Sequence, residues 1–198
     1  MKSLDPSAVI LPQIREAVIH RGWAWFDAGD FDLNLVALRC TPGTTDAFDD
    51  LLTCSWRQAA VWHFRAWRCT TDPGKPALLH PSRSDGTAVI AEGQHRAAYT
   101  FGMHKGQYEC LVPRVPIPVM RDRNRDAVVD PDFASTSNAV QIHRANPTRA
   151  STVVDKWSAG CVVLASPDDF AELMELAHEQ VRAGRGDRFT LSLMGWAP

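Results

Sequence analysis

The feature that most constrains the fold is a central run of short, strand-like segments divided by glycines. It extends from Gly86 to Pro113 and reads "GTAVIAEGQHRAAYTFGMHKGQYECLVP". Gly93, Gly102 and Gly106 interrupt stretches of apolar, aromatic and β-branched residues. This pattern predicts two or three short strands joined by turns. The centre of the chain is therefore expected to be β-structure.

Further extended segments are predicted on both sides of this centre. Alternating or β-branched patterns predict strands over residues 31–40, 58–71, 139–145, 160–165 and 188–194. The stretch "VPIPVM" is expected to be extended because its prolines exclude a helix. Two stretches are predicted to be loops: "CTPGTTDAFDD" and "RDRNRDAVVDPDFASTSN".

Two helices are predicted. Residues 8–20 fit a short helix, and a clearer one begins after Ser166, which is a favourable N-cap followed by Pro167. Gly184 is expected to end it. The fold class is thus α+β and β-rich. The 198 residues fit a single domain over 1–198, with 1–85 as an N-terminal extension or subdomain whose role the sequence does not specify.

Composition excludes some classes of function. A formal net charge of −2 offers no electrostatic reason to expect a nucleic-acid partner. No stretch approaches the roughly 20 apolar residues of a membrane span, and the N-terminus lacks an apolar core and cleavage site typical of a signal peptide. We therefore expect synthesis and folding in the cytoplasm.

The five cysteines form neither a zinc motif nor a disulfide framework. They are odd in number and contain no Cys-x-x-Cys pair. Cys40, Cys54, Cys69 and Cys110 are predicted to be buried and reduced. No metal or cofactor is expected. Asp122, Asn124, Asp126 and Asp130 resemble the start of a calcium loop but lack its glycine and final acidic ligand, so a solvated turn is predicted there and a cation site is left open.

The fifth cysteine lies in a different context, the stretch "DKWSAGCVVL". Gly160 permits a tight turn in which the backbone N–H groups of Gly160 and Cys161 can converge on an oxyanion. A cysteine nucleophile also needs a base. His143, at the end of the strand predicted before it, would lie beside Cys161 if the two strands pair.

The spacing of these residues resembles the signature of the L,D-transpeptidase catalytic domain. His143 is followed by 14 residues and then Ser158-Ala159-Gly160-Cys161, similar to that family's His, spacer and Ser/Thr-His-Gly-Cys. The likeness covers 139–164 directly and is compatible with Thr87 to Pro113. It implies a mixed β-sheet or sandwich with a few helices. At the level of pattern, the chain also resembles proteins carried by phages and prophages.

The resemblance implies a role for each matching residue. Cys161 would be the nucleophile, and His143 its base and later the acid. Ser158 would shape the turn, the N–H groups of Gly160 and Cys161 would form the oxyanion hole, and the carbonyl of Arg144 would orient His143. Three residues depart from the family pattern near the expected acyl pocket: Ala159 replaces a His, Val163 a polar residue and Arg144 a Gly.

Several residues are candidates for substrate binding. His104 and Lys105 would line the substrate groove or lie in an exposed loop. Arg96 and Tyr99 lie on the strand before them, where an arginine could clamp a carboxylate or lie on the surface. Trp157, beside Ser158, joins this group.

The implied function is hydrolysis of peptidoglycan stem peptides through a thioester, as an L,D-carboxypeptidase or endopeptidase and a phage-type lytic enzyme. Such a protein would reach the cell wall after release or delivery. Two alternatives stay open: a transpeptidase that forms cross-links, and a non-catalytic phage structural or cell-wall-binding protein on the same fold. The loss of the second His at Ala159 favours the last.

Overall fold

A computed structural model of the chain describes residues 3–197; Met1, Lys2 and Pro198 lie outside the described residues. Its helices are α1 (Leu11–His20), α2 (Lys75–Leu79) and α3 (Pro167–Arg182). Its strands are β1 (Asn34–Cys40), β2 (Asp50–Gln58), β3 (Val61–Thr70), β4 (Thr87–Ile90), β5 (Gly93–His104), β6 (Tyr108–Pro113), β7 (Ile117–Asp122), β8 (Phe133–Ser137), β9 (Ile142–Arg144), β10 (Val162–Leu164) and β11 (Phe189–Trp196).

Eight of these strands close into a barrel in the order β1-β11-β5-β6-β9-β10-β3-β2. Two pairings are parallel, β1 with β11 and β9 with β10, so the sheet is mixed. The predicted β-rich α+β class is confirmed. The finer expectation of a sandwich is not what the structure shows, because β1 pairs with both β2 and β11 and the sheet closes on itself.

The first 85 residues are integral to this barrel. They supply β1, β2 and β3, and β3 pairs with β10, the strand that follows Cys161. Alternate residues of β1 face different cores: Leu35 and Ala37 join the main cluster, whereas Val36 and Leu38 join a second cluster that α1 covers. The N-terminal region therefore builds the wall that supports the predicted site.

Helix α3 begins as predicted. The Ser166 hydroxyl accepts hydrogen bonds from the backbone N–H groups of Asp168 and Asp169, and Pro167 occupies the first turn. The helix contributes Phe170 and Leu173 to the main core. No helix among residues 3–197 is long and apolar enough to cross a membrane.

A second sheet, in the order β4-β7-β8, packs against the barrel. Ala88 and Ile90 of β4 and Ile117 and Val119 of β7 belong to the main core cluster. The prediction of a polar loop over residues 121–138 was wrong in part, because β7 runs to Asp122 and β8 occupies Phe133–Ser137. Strand β8 is a mostly exposed edge of Ser, Thr and Ala, so the apolar alternation that marks a strand is missing there.

The hairpin of β2 and β3 was also only half predicted. Its two strands pair from Asp50 with Cys69 to Gln58 with Val61. The connecting residues Ala59 and Ala60 both have positive φ, 50° and 65°. Such a two-residue turn normally uses Asn or Gly, and Ala-Ala gives no turn signal, so only the second strand was anticipated.

Candidate active site

The structure places His143 on β9 and Cys161 directly before β10, the strand that pairs with β9. Strands β9 and β10 pair in parallel, with Val163 opposite His143. Val162 belongs to the main core, whereas Val163 and Cys161 pack together in a separate small cluster. Paired residues point to one face of a sheet, so His143 and Val163 share a face, and Cys161 packs against the same small cluster as Val163. The pairing that would bring the two strands side by side is present.

Cys161 is half-buried and directly precedes β10. Its Sγ accepts a hydrogen bond from the backbone N–H of Gln141 at 3.3 Å, and its S–H reaches the carbonyl of Ala139 at 3.5 Å. Burial raises the pKa of the thiol to about 11, while the Gln141 N–H and the charge of Lys105 lower it less. The resting sulfur is therefore a neutral thiol at pH 7.

His143 is held by the residue that follows it. Its Nδ1 lies 2.8 Å from the carbonyl oxygen of Arg144. A carbonyl can only accept, so Nδ1 carries the proton and Nε2 keeps its lone pair. The Tyr108 hydroxyl donates to the same carbonyl at 3.3 Å and lies 3.4 Å from Nδ1. The structure thus contains the orienting contact expected of Arg144.

The imidazole of His143 is kept neutral by its surroundings. Burial lowers its pKa to about 4, and the hydrogen bond to Arg144 opposes this. Electrostatic interactions with His104, Lys105 and Arg144 lower the pKa further. The ring of His104 stacks on it with 4.1 Å between centroids. His104 Nδ1 is in turn 2.6 Å from Oε1 of Gln141. Neutral imidazole with a free Nε2 is the form that a general base requires.

The turn before Cys161 is fixed by Ser158. Its hydroxyl accepts from the N–H of Gly160 at 3.1 Å and donates to the carbonyl of Cys161 at 3.1 Å. Ser158 therefore shapes the turn as predicted. The expectation that Gly160 donates to an oxyanion is corrected, because Ser158 already takes its N–H. Of the two predicted donors, the N–H of Cys161 remains.

Two cavities adjoin the pair. One of about 190 Å³ opens beside Cys161, and one of about 420 Å³ opens beside His143. The first is lined by Ala77, His80, Ser82, Arg83, Gly86, Thr87, Ala88, Arg121, Ser137, Ala139, Val140, Ala159 and Cys161. The second is lined by His104, Lys105, Gln107, Tyr108, His143, Arg144, Ala145, Pro147, Lys156 and Trp157. We call them the Cys161 cavity and the His143 cavity.

The predicted binding residues divide between these cavities and the rest of the molecule. His104, Lys105 and Trp157 line the His143 cavity. Tyr99 does not fit its predicted role, because it is 0% exposed within the main core and cannot touch a substrate. Arg96 is exposed on β5, outside both cavities, which agrees with its surface alternative.

Two of the residues that depart from the family pattern lie in different environments. Ala159 is exposed and lines the Cys161 cavity, as expected. Val163 is fully buried in a small apolar cluster with Phe48 and Val154. A polar side chain at this position would be buried among apolar neighbours, so Val163 is a packing residue and not part of the pocket.

Sequence reasoning missed three residues of the site. Gln141 contacts the sulfur through its backbone and His104 through its side chain. Its position two residues before His143, within the strand predicted over residues 139–145, was an available signal. Tyr108 and Arg121 come from distant strands, and nothing local marks them.

The other four cysteines lie outside both cavities. Cys40, Cys54, Cys69 and Cys110 are buried thiols, as predicted. In the loop that resembles a calcium site, Asn124 donates to Asp130, and Asp122 accepts from the backbone N–H of Asp130. Within residues 3–197, no group of three or more His, Cys, Asp or Glu side chains is placed to hold a metal ion.

The fold and the site define a class: a mixed β-barrel protein of the α+β type with a Cys–His pair between two surface cavities. Comparisons with models of known families, with curated proteins and with solved structures found no match to this chain. The geometry of the site and the resemblance of its motif are therefore the two features that bear on function.

Proposed function

We propose that the protein is a cysteine-dependent hydrolase of peptidoglycan stem peptides that works through a thioester. The observation that carries this proposal is the pairing of β9, which holds His143, with β10, which directly follows Cys161. In addition, Nδ1 of His143 is bound to the Arg144 carbonyl, so Nε2 keeps its lone pair. The resemblance of the motif to L,D-transpeptidases supplies the substrate class. The His143 cavity is open and carries Lys105, Arg144 and Lys156, which suits a peptide with carboxylates.

The pKa values define how such a dyad would work. Both groups rest neutral at pH 7, so the thiol must lose its proton during attack and not before it. In the resting state the S–H reaches the Ala139 carbonyl, and substrate binding would turn it toward Nε2. Contacts of this kind commonly tighten only when substrate is bound.

The reaction would then proceed in two balanced halves. Sγ bonds to the carbonyl carbon while its proton passes to Nε2 of His143, and the N–H of Cys161 stabilises the oxyanion. The C–N bond breaks and Nε2 returns that proton to the departing amine. Water next gives a proton to Nε2 and its oxygen bonds to the thioester carbon. The C–S bond breaks and the proton returns to Sγ.

Incubation with purified sacculi, followed by mass analysis of the muropeptides, tests the proposal. Hydrolysis is expected to convert tetrapeptides to tripeptides or to cleave direct cross-links. Cys161→Ala should abolish this, whereas Arg96→Ala, on the surface outside both cavities, should retain it. Equal products from wild type and Cys161→Ala would refute the enzyme. An increase in cross-links would instead identify a transpeptidase.

A second candidate is a non-catalytic protein that binds the cell wall. The raised pKa of Cys161 favours it, because a buried neutral thiol is also what a purely structural cysteine shows. In the same experiment this candidate predicts that wild type and Cys161→Ala sediment equally with sacculi and release no fragment.

The first candidate, a lytic enzyme, would act on the cell wall after delivery from the cell that makes it.

A further inference from the structure

The Cys161 cavity joins the nucleophile to a buried arginine. Its wall combines the turn at Gly160 with two strands of the second sheet, β4 and β7. Arg121, on β7, pairs with Ala88 of β4, and both line the cavity together with Cys161. A cationic side chain is thus built into the same small chamber as the sulfur.

The guanidinium of Arg121 is buried and only partly satisfied. Its side chain is 4% exposed. One Nη donates to the carbonyl of Gly86 at 3.4 Å and the other to that of Thr136 at 3.1 Å. Nε has no hydrogen-bond partner among the residues that the structure describes. A buried donor without an acceptor costs free energy, and the protein satisfies this guanidinium only in part.

The charge near Arg121 is also incompletely balanced. Its nearest carboxylate, Asp85, stands 3.8 Å from Nε. Asp85 is already held by Arg83 through two hydrogen bonds, at 2.7 and 3.0 Å. Two guanidinium groups therefore share one carboxylate, and His80 adds a further basic group to the lining. The cavity has room and charge for one more anion.

We infer that the Cys161 cavity binds a carboxylate on the acyl portion of the substrate and that Arg121 is the residue that selects it. The inference rests on the proposed function. The acyl group stays on Sγ after the amine leaves, so it occupies the cavity that Cys161 lines. The leaving amine must reach Nε2 of His143, which lines the other cavity. Arg121 thus governs which acyl donors are accepted, whereas the chemistry belongs to Cys161 and His143.

Alkylation of Cys161 tests the carboxylate site without any peptide substrate. Iodoacetate and iodoacetamide react alike, since Sγ displaces iodide and the thiol proton goes to solvent, but only iodoacetate carries a carboxylate. Mass analysis gives the rate at Cys161 for each reagent. The ratio of the two rates in wild type is expected to exceed that of a free thiol such as N-acetylcysteine by about tenfold, the value of one charge-assisted hydrogen bond. A ratio no higher than that of the free thiol would overturn the inference.

Variants distinguish an effect of Arg121 on the rate ratio from an effect of the overall charge of the protein. Arg121→Gln should return the ratio to that of the free thiol, and Arg96→Gln, which removes one exposed positive charge outside the cavity, should leave it unchanged. Arg121→Lys retains the charge and should keep an intermediate ratio. If Arg121→Gln fails to fold, as thermal melting would show, the wild-type ratio and the Lys variant still decide the question.

Matched peptides then connect the site to the reaction. Two substrates differ only in whether the side chain of the acyl residue ends in a carboxylate or a carboxamide. The carboxylate is expected to raise kcat/KM about tenfold or more in wild type, and not in Arg121→Gln. Cleavage of both peptides at equal rates would refute the inference and leave the proposed function standing. No cleavage of either, with the alkylation ratio still raised, would refute the proposed function and leave the carboxylate site standing.

Discussion

Replacement of Gly160 by alanine should damage the site through the backbone. Gly160 has φ of +110°, where an L side chain is strained, and a Cβ there would lie 2.1 Å from the carbonyl oxygen of Ala88 and 2.9 Å from its carbon. The strain costs about 1–3 kcal/mol. Because the obstacle is the backbone of β4, relief requires a shift of the second sheet, which adds about 1–3 kcal/mol by analogy with overpacked cores. We expect a loss of about 2–6 kcal/mol in the free energy of unfolding.

Gly106→Ala is the matched control. Gly106 also has positive φ, +70°, but no heavy atom of residues 3–197 outside its own neighbourhood lies within 4 Å of its would-be Cβ. It should lose about 1–2 kcal/mol, the cost of the left-handed conformation alone. Urea unfolding measures both, and iodoacetamide alkylation reports whether Cys161 has moved. Equal losses in the two variants would refute the reasoning that β4 holds the turn.

Three further predictions concern the dyad and the core. Tyr108→Phe removes the hydroxyl that donates to the Arg144 carbonyl but leaves the hydrogen bond from His143 Nδ1 to that carbonyl. Kinetics should show a few-fold fall in kcat/KM, and urea unfolding should show a stability loss of about 0.5–1.5 kcal/mol. The pKa of His143 in the folded protein, about 4, lies below its ordinary 6.5, so kcat/KM should fall only near pH 4. For the same reason, urea titrations should show that the contribution of His143 to stability is lost as pH drops from 6.5 to 4. Asp50→Ala removes the carboxylate that accepts from the backbone N–H groups of Cys40 and Thr71. Each buried donor left without an acceptor costs about 1–3 kcal/mol, so urea unfolding should show a stability loss of about 2–6 kcal/mol.

The parts of the site that the sequence predicted are those with local signals. His143 ends a short apolar strand, and Cys161 follows a glycine turn that leads into another. Parallel pairing of these two strands needs only that the loop between them return to the same sheet. Helix α3 was equally local, since Ser166 and Pro167 mark its first turn. Local signals were therefore sufficient to predict the strands that carry or flank His143 and Cys161, and the helix after them.

The parts that escaped prediction depend on contacts between distant segments. Barrel closure requires β1 to pair with β11, more than 150 residues later in the chain. Tyr108 reaches Arg144 only because β6 pairs with β9. Tyr99 lies on a strand with an alternating pattern that allowed it a surface position, yet it pairs with Phe189 of β11 and belongs to the main core. Strand periodicity gives two faces but does not tell which face another element will cover.

The second sheet supplies parts of the candidate site that the His143–Cys161 sequence motif does not contain. Ala88 of β4 touches the turn at Gly160 with its carbonyl and pairs with Arg121 of β7. One short strand thus positions both the backbone directly before Cys161 and the arginine that lines the same cavity. Glycine at 160 is required because β4 comes so close, and β4 is held there by its pairing with β7 and by Ile90 in the core. Any change that loosens β4 should therefore alter the reactivity of Cys161 and the carboxylate preference together.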